Sequence, residues 1–258
     1  MRSARVQLGF DWKDTRLWDY QPVPEEPDAI TGAEAWRRTS FDLLMAMMSG
    51  SMPPAVVPIS GELDVAKPLV MVCPDRMRHE NQQRLAAFVN NGGKLLLMPK
   101  PPVQDEYGHA DTTLADALGI SKAAPLSMRG THARLPGLGH VYGIKDVCTA
   151  EIPQAAQPLC FDAQTDTVIG AQWAVGQGQV IWLGFTFEYR HFAHAALMEY
   201  LCGHLGAKPV AESSNRNVWT AYWTDGKHKL LYVMNLFSSP QKTEILLHDG
   251  EKPVNLGE

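Results

Sequence analysis

The sequence predicts a three-layer α/β domain followed by a small all-β domain, and three observations carry that expectation. Leu69-Val-Met-Val-Cys73 and Lys94-Leu-Leu-Leu-Met98 are short, continuous apolar runs of the kind found in parallel strands buried on both faces. Between them lies a helix-patterned segment that ends at Asn90-Asn-Gly-Gly93, so strand, helix and strand follow in the order of a right-handed crossover, which makes the sheet mainly parallel. Beyond Lys208-Pro209 the pattern changes to alternating runs separated by turn residues. The expected division is 1–207 for the α/β domain and 208–258 for the small antiparallel β domain, which is short for a self-sufficient sheet and reads as truncated.

The elements follow in order. Arg5 to Phe10 alternates polar and apolar residues as a strand, then runs into the aromatic, charged segment Asp11 to Tyr20 and a proline-rich stretch, Gln21 to Asp28. Thr31 with Glu34 three residues later has the form of a capping box, and apolar residues recur through Met48 until Gly50 stops the helix. Ala55 to Ile59 is a short strand. A second helix spans about His79 to Asn90, with Leu85, Phe88 and Val89 on one face and a glycine C-cap. Thr112 to Leu118 with Gly119 reads as a short helix and its terminator. The pattern from Ser121 to Asp166 is weak, with short strands expected near Val141-Tyr142 and Pro158 to Phe161. Val168 to Val175, a turn over Gly176 to Gln179, and Val180 to Phe185 form a β-hairpin, and a helix from about Ala193 to Leu205 closes the domain at Gly206. Val218 to Trp223, Leu230 to Leu236 and Thr243 to Leu247 are expected to form one antiparallel unit, the first two joined through Asp225-Gly226.

Composition narrows the functional classes. With 258 residues, 45% of them apolar, the chain has enough material for a real core, and a formal net charge of -5 gives no reason to expect nucleic acid as a partner. Its apolar runs are far shorter than the roughly 20 residues of a membrane-spanning helix. Met1 to Gly9 lacks the apolar stretch of a signal peptide. Cys73, Cys148, Cys160 and Cys202 show no CxxC spacing and sit among apolar neighbours, which reads as buried reduced thiols in a cytoplasmic protein. No metal and no cofactor are expected.

Several constellations invite a chemical reading. Cys73 ends a central strand just before a helix, where α/β hydrolytic domains place a nucleophile, but Pro74 follows directly and no base with an orienting carboxylate stands nearby in sequence. Gly176-Gln-Gly178 and Gly137-Leu-Gly139 lack the strand-to-helix context of a phosphate cradle. His191 and His194 could share a helical face after a strand end, although zinc needs a third protein ligand and capping or interface contact is the plainer reading. Trp12, Trp18 and Tyr20, interleaved with Asp11, Asp14, Arg16 and Asp19, have the make-up of a sugar-stacking platform and equally that of a packing surface against another domain or subunit. Asp105-Glu106 reads as a solvated pair rather than the opposed carboxylates of a glycosidase.

In order along the chain, several segments resemble the C-terminal half of bacterial β-galactosidases of glycoside hydrolase family 42, and more loosely family 35. They are Phe10-Asp-Trp12, Leu69 to Pro74, Leu85-Ala-Ala-Phe-Val-Asn-Asn-Gly-Gly-Lys94, Asp105-Glu-Tyr-Gly108, Leu118-Gly-Ile120 and Gly176-Gln-Gly-Gln-Val-Ile-Trp-Leu-Gly184. The resemblance implies a flavodoxin-like, class I glutamine amidotransferase-like domain that has lost its nucleophile and helps subunits associate, commonly as trimers, followed by a small β-domain. It places the two catalytic glutamates on a TIM barrel outside this region, so no catalytic residue transfers to any position here. The expected role is a non-catalytic accessory and oligomerisation region of a β-galactosidase. Its expected partners are that barrel, further copies of itself and galactoside sugars, through Trp12, Arg16, Trp18, Tyr20, His191 and His194. The alternatives are a free-standing amidotransferase-like hydrolase using Cys73, and a carbohydrate-binding module.

Overall fold

A computed structural model describes residues 4–10, 32–126, 132–248 and 254–255. The first half runs β1 (Gln7–Phe10), α1 (Gly32–Ser49), β2 (Ala55–Pro58), β3 (Leu69–Val72), α2 (His79–Asn90), β4 (Lys94–Met98) and α3 (Thr113–Leu118). Then come β5 (Ser121–Pro125), β6 (Ala133–Leu135), β7 (Gly139–Val141), β8 (Ile144–Lys145), β9 (Cys148–Glu151), β10 (Gln157–Asp162), β11 (Val168–Val175), β12 (Gly178–Leu183), β13 (Thr186–Phe187) and α4 (Phe192–His204). The chain continues through β14 (Ala211–Ser213), β15 (Val218–Thr224), β16 (Lys229–Asn235), β17 (Ile245–Leu247) and β18 (Val254–Asn255).

A nine-stranded sheet organises these elements in the order β2-β1-β3-β4-β12-β11-β10-β6-β7. From β2 to β12 every neighbour pair is parallel. From β12 to β7 every pair is antiparallel. The expected mainly parallel sheet is therefore a mixed one, parallel in one half only. Connection length explains the switch: β3 and β4 are joined through α2, a crossover long enough for a parallel return, whereas the tight turn at Gly176-Gln177 lets β12 come back only antiparallel to β11.

Period-two alternation sends each central strand into two hydrophobic clusters. Val70, Val72, Leu96, Met98, Ile181 and Leu183 pack with Leu43 and Met47 of α1 and with Leu197, Met198 and Leu201 of α4. Their neighbours Leu69, Met71, Leu95, Leu97, Val180 and Trp182 pack with Leu85, Phe88 and Val89 of α2 and with Leu114 and Leu118 of α3. Burial on both faces is why these strands read as unbroken apolar runs.

Glycines govern the tightest approach. After α2, Asn91 takes the cap position and Gly92 supplies the left-handed residue at φ +100°. A Cβ on Gly178 would lie 2.2 Å from both Gly93 O and Val89 O, and one on Gly176 would lie 2.6 Å from the Asn90 side chain. The glycines of Gly176-Gln-Gly178 thus let the β11–β12 turn sit on the end of α2.

The C-terminal residues depart from expectation. β15 and β16 form the anticipated hairpin around Asp225-Gly226, but β17 pairs with β14 and β18 in a separate sheet. Pairing of β17 with Ala211–Ser213 replaces the single three-stranded unit, because Ser213 and Ser214 tie the start of β17 through Thr243 and Glu244. Among the described residues no helix is long and apolar enough to cross a membrane.

Candidate functional site

The parallel strands β3 and β4 end side by side, and the chain beyond them opens a cleft of about 640 Å³. Open α/β sheets hold ligands at this end of their strands. Cys73 and Asp75 follow β3, Pro99 and Lys100 follow β4, and Trp36 and Thr39 reach in from α1. The opposite wall is the stretch Gly143 to Cys148, with Thr186 of β13 beside it.

Three backbone carbonyls and three aromatic rings fix the floor. Trp36 Nε1 donates to Val72 O at 2.7 Å, and its ring stacks on Phe10 with centroids 4.6 Å apart. Trp182 Nε1 and Cys148 Sγ both donate to Pro99 O, at 2.7 and 3.1 Å. The Cys73 N–H donates to Met98 O, locking the two strand ends together.

Burial works against thiolate formation at every cysteine. Burial pushes Cys73 up to about 12, and burial likewise pushes Cys148 up to about 12, with Asp146 adding to it and Lys100 opposing. Cys160 and Cys202 are equally raised by burial to about 12. All four cysteines are free and buried. Among the described residues no histidine lines the cleft, so Cys73 has no base within it. A thiol held protonated by burial, with no base beside it among the described residues, is a poor nucleophile, which weighs against the hydrolase reading of Cys73.

The charges on the walls are held in pairs. Asp75 Oδ1 lies 3.0 Å from Lys100 Nζ. Thr186 donates through a short hydrogen bond to Asp146, which sits in the left-handed region at φ +51°. Lys145 lies 3.6 Å from Glu188, which also pairs with Arg190. Burial acts to raise the Glu188 carboxyl, but Lys145, Arg190 and Arg38 outweigh it and hold the group below the usual range.

His194 supports this wall from behind. Its Nε2 carries the proton and donates to Tyr142 O at 2.7 Å, its ring stacks on Phe187 at 4.6 Å, and its Nδ1 accepts from the Arg190 N–H at 3.5 Å. Burial lowers its pKa, which disfavours the charged ring. Gly143, at φ +71°, brings the backbone against that ring. His191 occupies the extended cap position before α4 and is exposed, its ring 5.8 Å from His194. The two histidines therefore share no helical face and neither enters the cleft. Among the described residues no group of three or more His, Cys, Asp or Glu side chains is placed to hold a metal ion.

Trp12, Arg16, Trp18 and Tyr20 lie outside the described residues. Asp105 and Glu106 serve local structure: Asp105 accepts the N–H groups of Tyr107 and His109, and Glu106 accepts the N–H of His79 at the start of α2. Gly137 and Gly139, both at positive φ, make the β6–β7 turn. Lys100, Asp146 and Thr186 were not singled out by sequence. The sole signal for Lys100 was its place two residues beyond a buried strand, and Asp146 and Thr186 carried none.

Comparison with known proteins places this architecture. Residues 59–154 match the family model described as GLMA-like, second domain. A β-1,2-glucosyltransferase of Ignavibacterium album is 26% identical over 187 residues, covering 70% of this chain and 25% of that protein. An exo-β-D-glucosaminidase of Pyrococcus horikoshii is 24% identical over 227 residues, covering 84% of this chain and 29% of the other. A GH42 β-galactosidase from G. stearothermophilus superposes with a TM-score of 0.70 at 18% identity, over 100% of this chain and 39% of its own. The chain has the fold of one segment of a GH42 β-galactosidase. It spans about a quarter of the length of these two curated relatives and 39% of the GH42 structure. The mixed sheet with helices on both faces is thus the fold of a GH42-type segment.

Proposed function

We propose that this chain is a non-catalytic accessory and assembly region of a carbohydrate-active hydrolase of the β-galactosidase type. The observation that carries the reading is the chemistry of the cleft where such folds do their work: its thiols are buried, which favours their protonated form, its charges are paired, and among the described residues no histidine joins them. In this reading residues 1–207 are a flavodoxin-like, three-layer amidotransferase-like domain and 208–258 a small β domain. The partners are a catalytic barrel carried by the same enzyme and further copies of the chain, three by analogy with the family. Aromatic residues Trp12, Trp18 and Tyr20, with Arg16 and the exposed His191, supply contact with those partners or with galactosides. His194 acts only through the backbone it holds.

The test is direct. The purified 258-residue chain should release nothing from aryl galactosides, and iodoacetamide near neutral pH should label Cys73 only after denaturation. Hydrolysis by the isolated chain, lost on changing one side chain of the cleft, would refute the reading. So would rapid native-state alkylation of Cys73.

A further inference from the structure

We propose that the cleft at the ends of β3 and β4 is a binding site for a neutral, hydroxyl-rich ligand of monosaccharide size. The inference rests on the walls of the cleft and stands apart from the accessory role proposed above.

Among the described residues four charged side chains line it, Asp75 and Asp146 against Lys100 and Lys145, so their formal charges cancel. Each has an internal partner: Asp75 with Lys100, Asp146 with Thr186, Lys145 with Glu188. An ionic ligand would have to displace one of those partners and leave a charge uncompensated, which is costly in a partly enclosed site. A hydroxyl group need displace nothing. A carboxylate offers about four acceptor positions and an ammonium three donors, so one partner leaves capacity on each. The same paired groups can then donate to and accept from neighbouring hydroxyls.

Apart from Thr39 and Thr186 the rest of the lining is largely apolar: Leu126, Ile144 and Val147 face the cleft along with Pro99 and Val72. A few convergent polar groups among apolar side chains, in a volume within the roughly 300–1,000 Å³ of small-molecule sites, is the make-up of a ligand pocket. Such walls suit a ring with hydroxyls at its edge and C–H groups on its faces.

The experiment is isothermal titration of the 258-residue chain with D-galactose and with D-glucose, and with inorganic phosphate as the anionic comparator. Saturation-transfer NMR on the same samples reports weak binding that heat does not resolve. A hexose should bind and phosphate should not. Lys100→Met and Asp146→Asn should each weaken the hexose at least tenfold while circular dichroism stays unchanged; asparagine tolerates the left-handed backbone of Asp146. If Asp146→Asn does not fold, Lys100→Met decides alone, since Lys100 is partly exposed. No hexose binding to the unaltered chain, binding that Lys100→Met leaves unchanged, or preference for phosphate would each overturn the proposal. Hexose binding by a chain that also proved catalytic would sink the accessory reading and leave this one standing.

Discussion

Arg216 grips Glu199 with both ends of its guanidinium, Nη1 to Oε1 at 3.1 Å and Nη2 to Oε2 at 2.7 Å. Glu199 belongs to α4, and the Arg216 backbone carbonyl accepts from Ser49 Oγ at the end of α1 at 3.0 Å. One residue between β14 and β15 therefore fastens the C-terminal strands to both helices on one face of the large sheet. The two side chains are 27% and 31% exposed, so water screens the pair only in part. Arg216→Lys keeps the charge but loses the planar fork, and should lower stability to urea by about 1 kcal/mol, with Arg216→Ala costing somewhat more. Equal midpoints for all three proteins would show that the pair carries nothing.

A second prediction comes from the close approach at Gly178. With backbone oxygens of Gly93 and Val89 at 2.2 Å from any added Cβ, no rotamer change can relieve the clash. Gly178→Ala must push the β11–β12 turn off the end of α2 and strain the β12–β4 pairing beside it. The expected loss is about 1–3 kcal/mol, as for overpacked cores, read as a fall in thermal midpoint. Gly203→Ala, on the exposed face of α4 where nothing lies within 4 Å, is the matched control and should be neutral or slightly stabilising. A Gly178→Ala protein as stable as the control would contradict the packing described.

These two sites mark the boundary of what sequence conveys. Leu69 to Val72 and Lys94 to Met98 were legible because burial on both faces forces an apolar side chain at nearly every position, a signal that needs no knowledge of the partner strands. Ser121–Pro125 was not, since its residues are largely exposed and it is a strand only because Cys148–Glu151 lies beside it. Sheet membership failed for the same reason at β17, whose alternation fits pairing with β15–β16 as well as with β14, the choice being made by side-chain contacts from Ser213 and Ser214. Within the cleft, Cys73 could be found from its strand end, but the burial that raises its pKa is provided only by the folded chain. Asp146 and Thr186 come together from segments 40 residues apart and left no local trace.

His194 supplies a prediction in pH. Its pKa is lowered from the ordinary 6.5 by burial, which outweighs the raising effect of the hydrogen bond to the Tyr142 carbonyl; the nearby His191 lowers it further and Asp42 opposes weakly. The unfolded chain thus takes up a proton at a pH where the folded chain does not, so stability rises with pH through that interval. The contribution is complete above pH 6.5 and is lost as pH falls through the folded-state value. Asp111 and Glu188, whose carboxyls are lowered from 3.8 and 4.5, act below that window. In His194→Gln the side-chain amide can still donate to Tyr142 O but cannot titrate, so the decline in urea midpoint on crossing pH 6.5 downward should become shallower than in the unaltered chain. Since Tyr142 leads into the wall that carries Asp146, hexose binding should survive in this variant where the hydrogen bond is kept, and weaken in His194→Ala where it is lost. A pH dependence identical in the unaltered and glutamine proteins would mean that His194 is not the buried neutral ring the geometry describes.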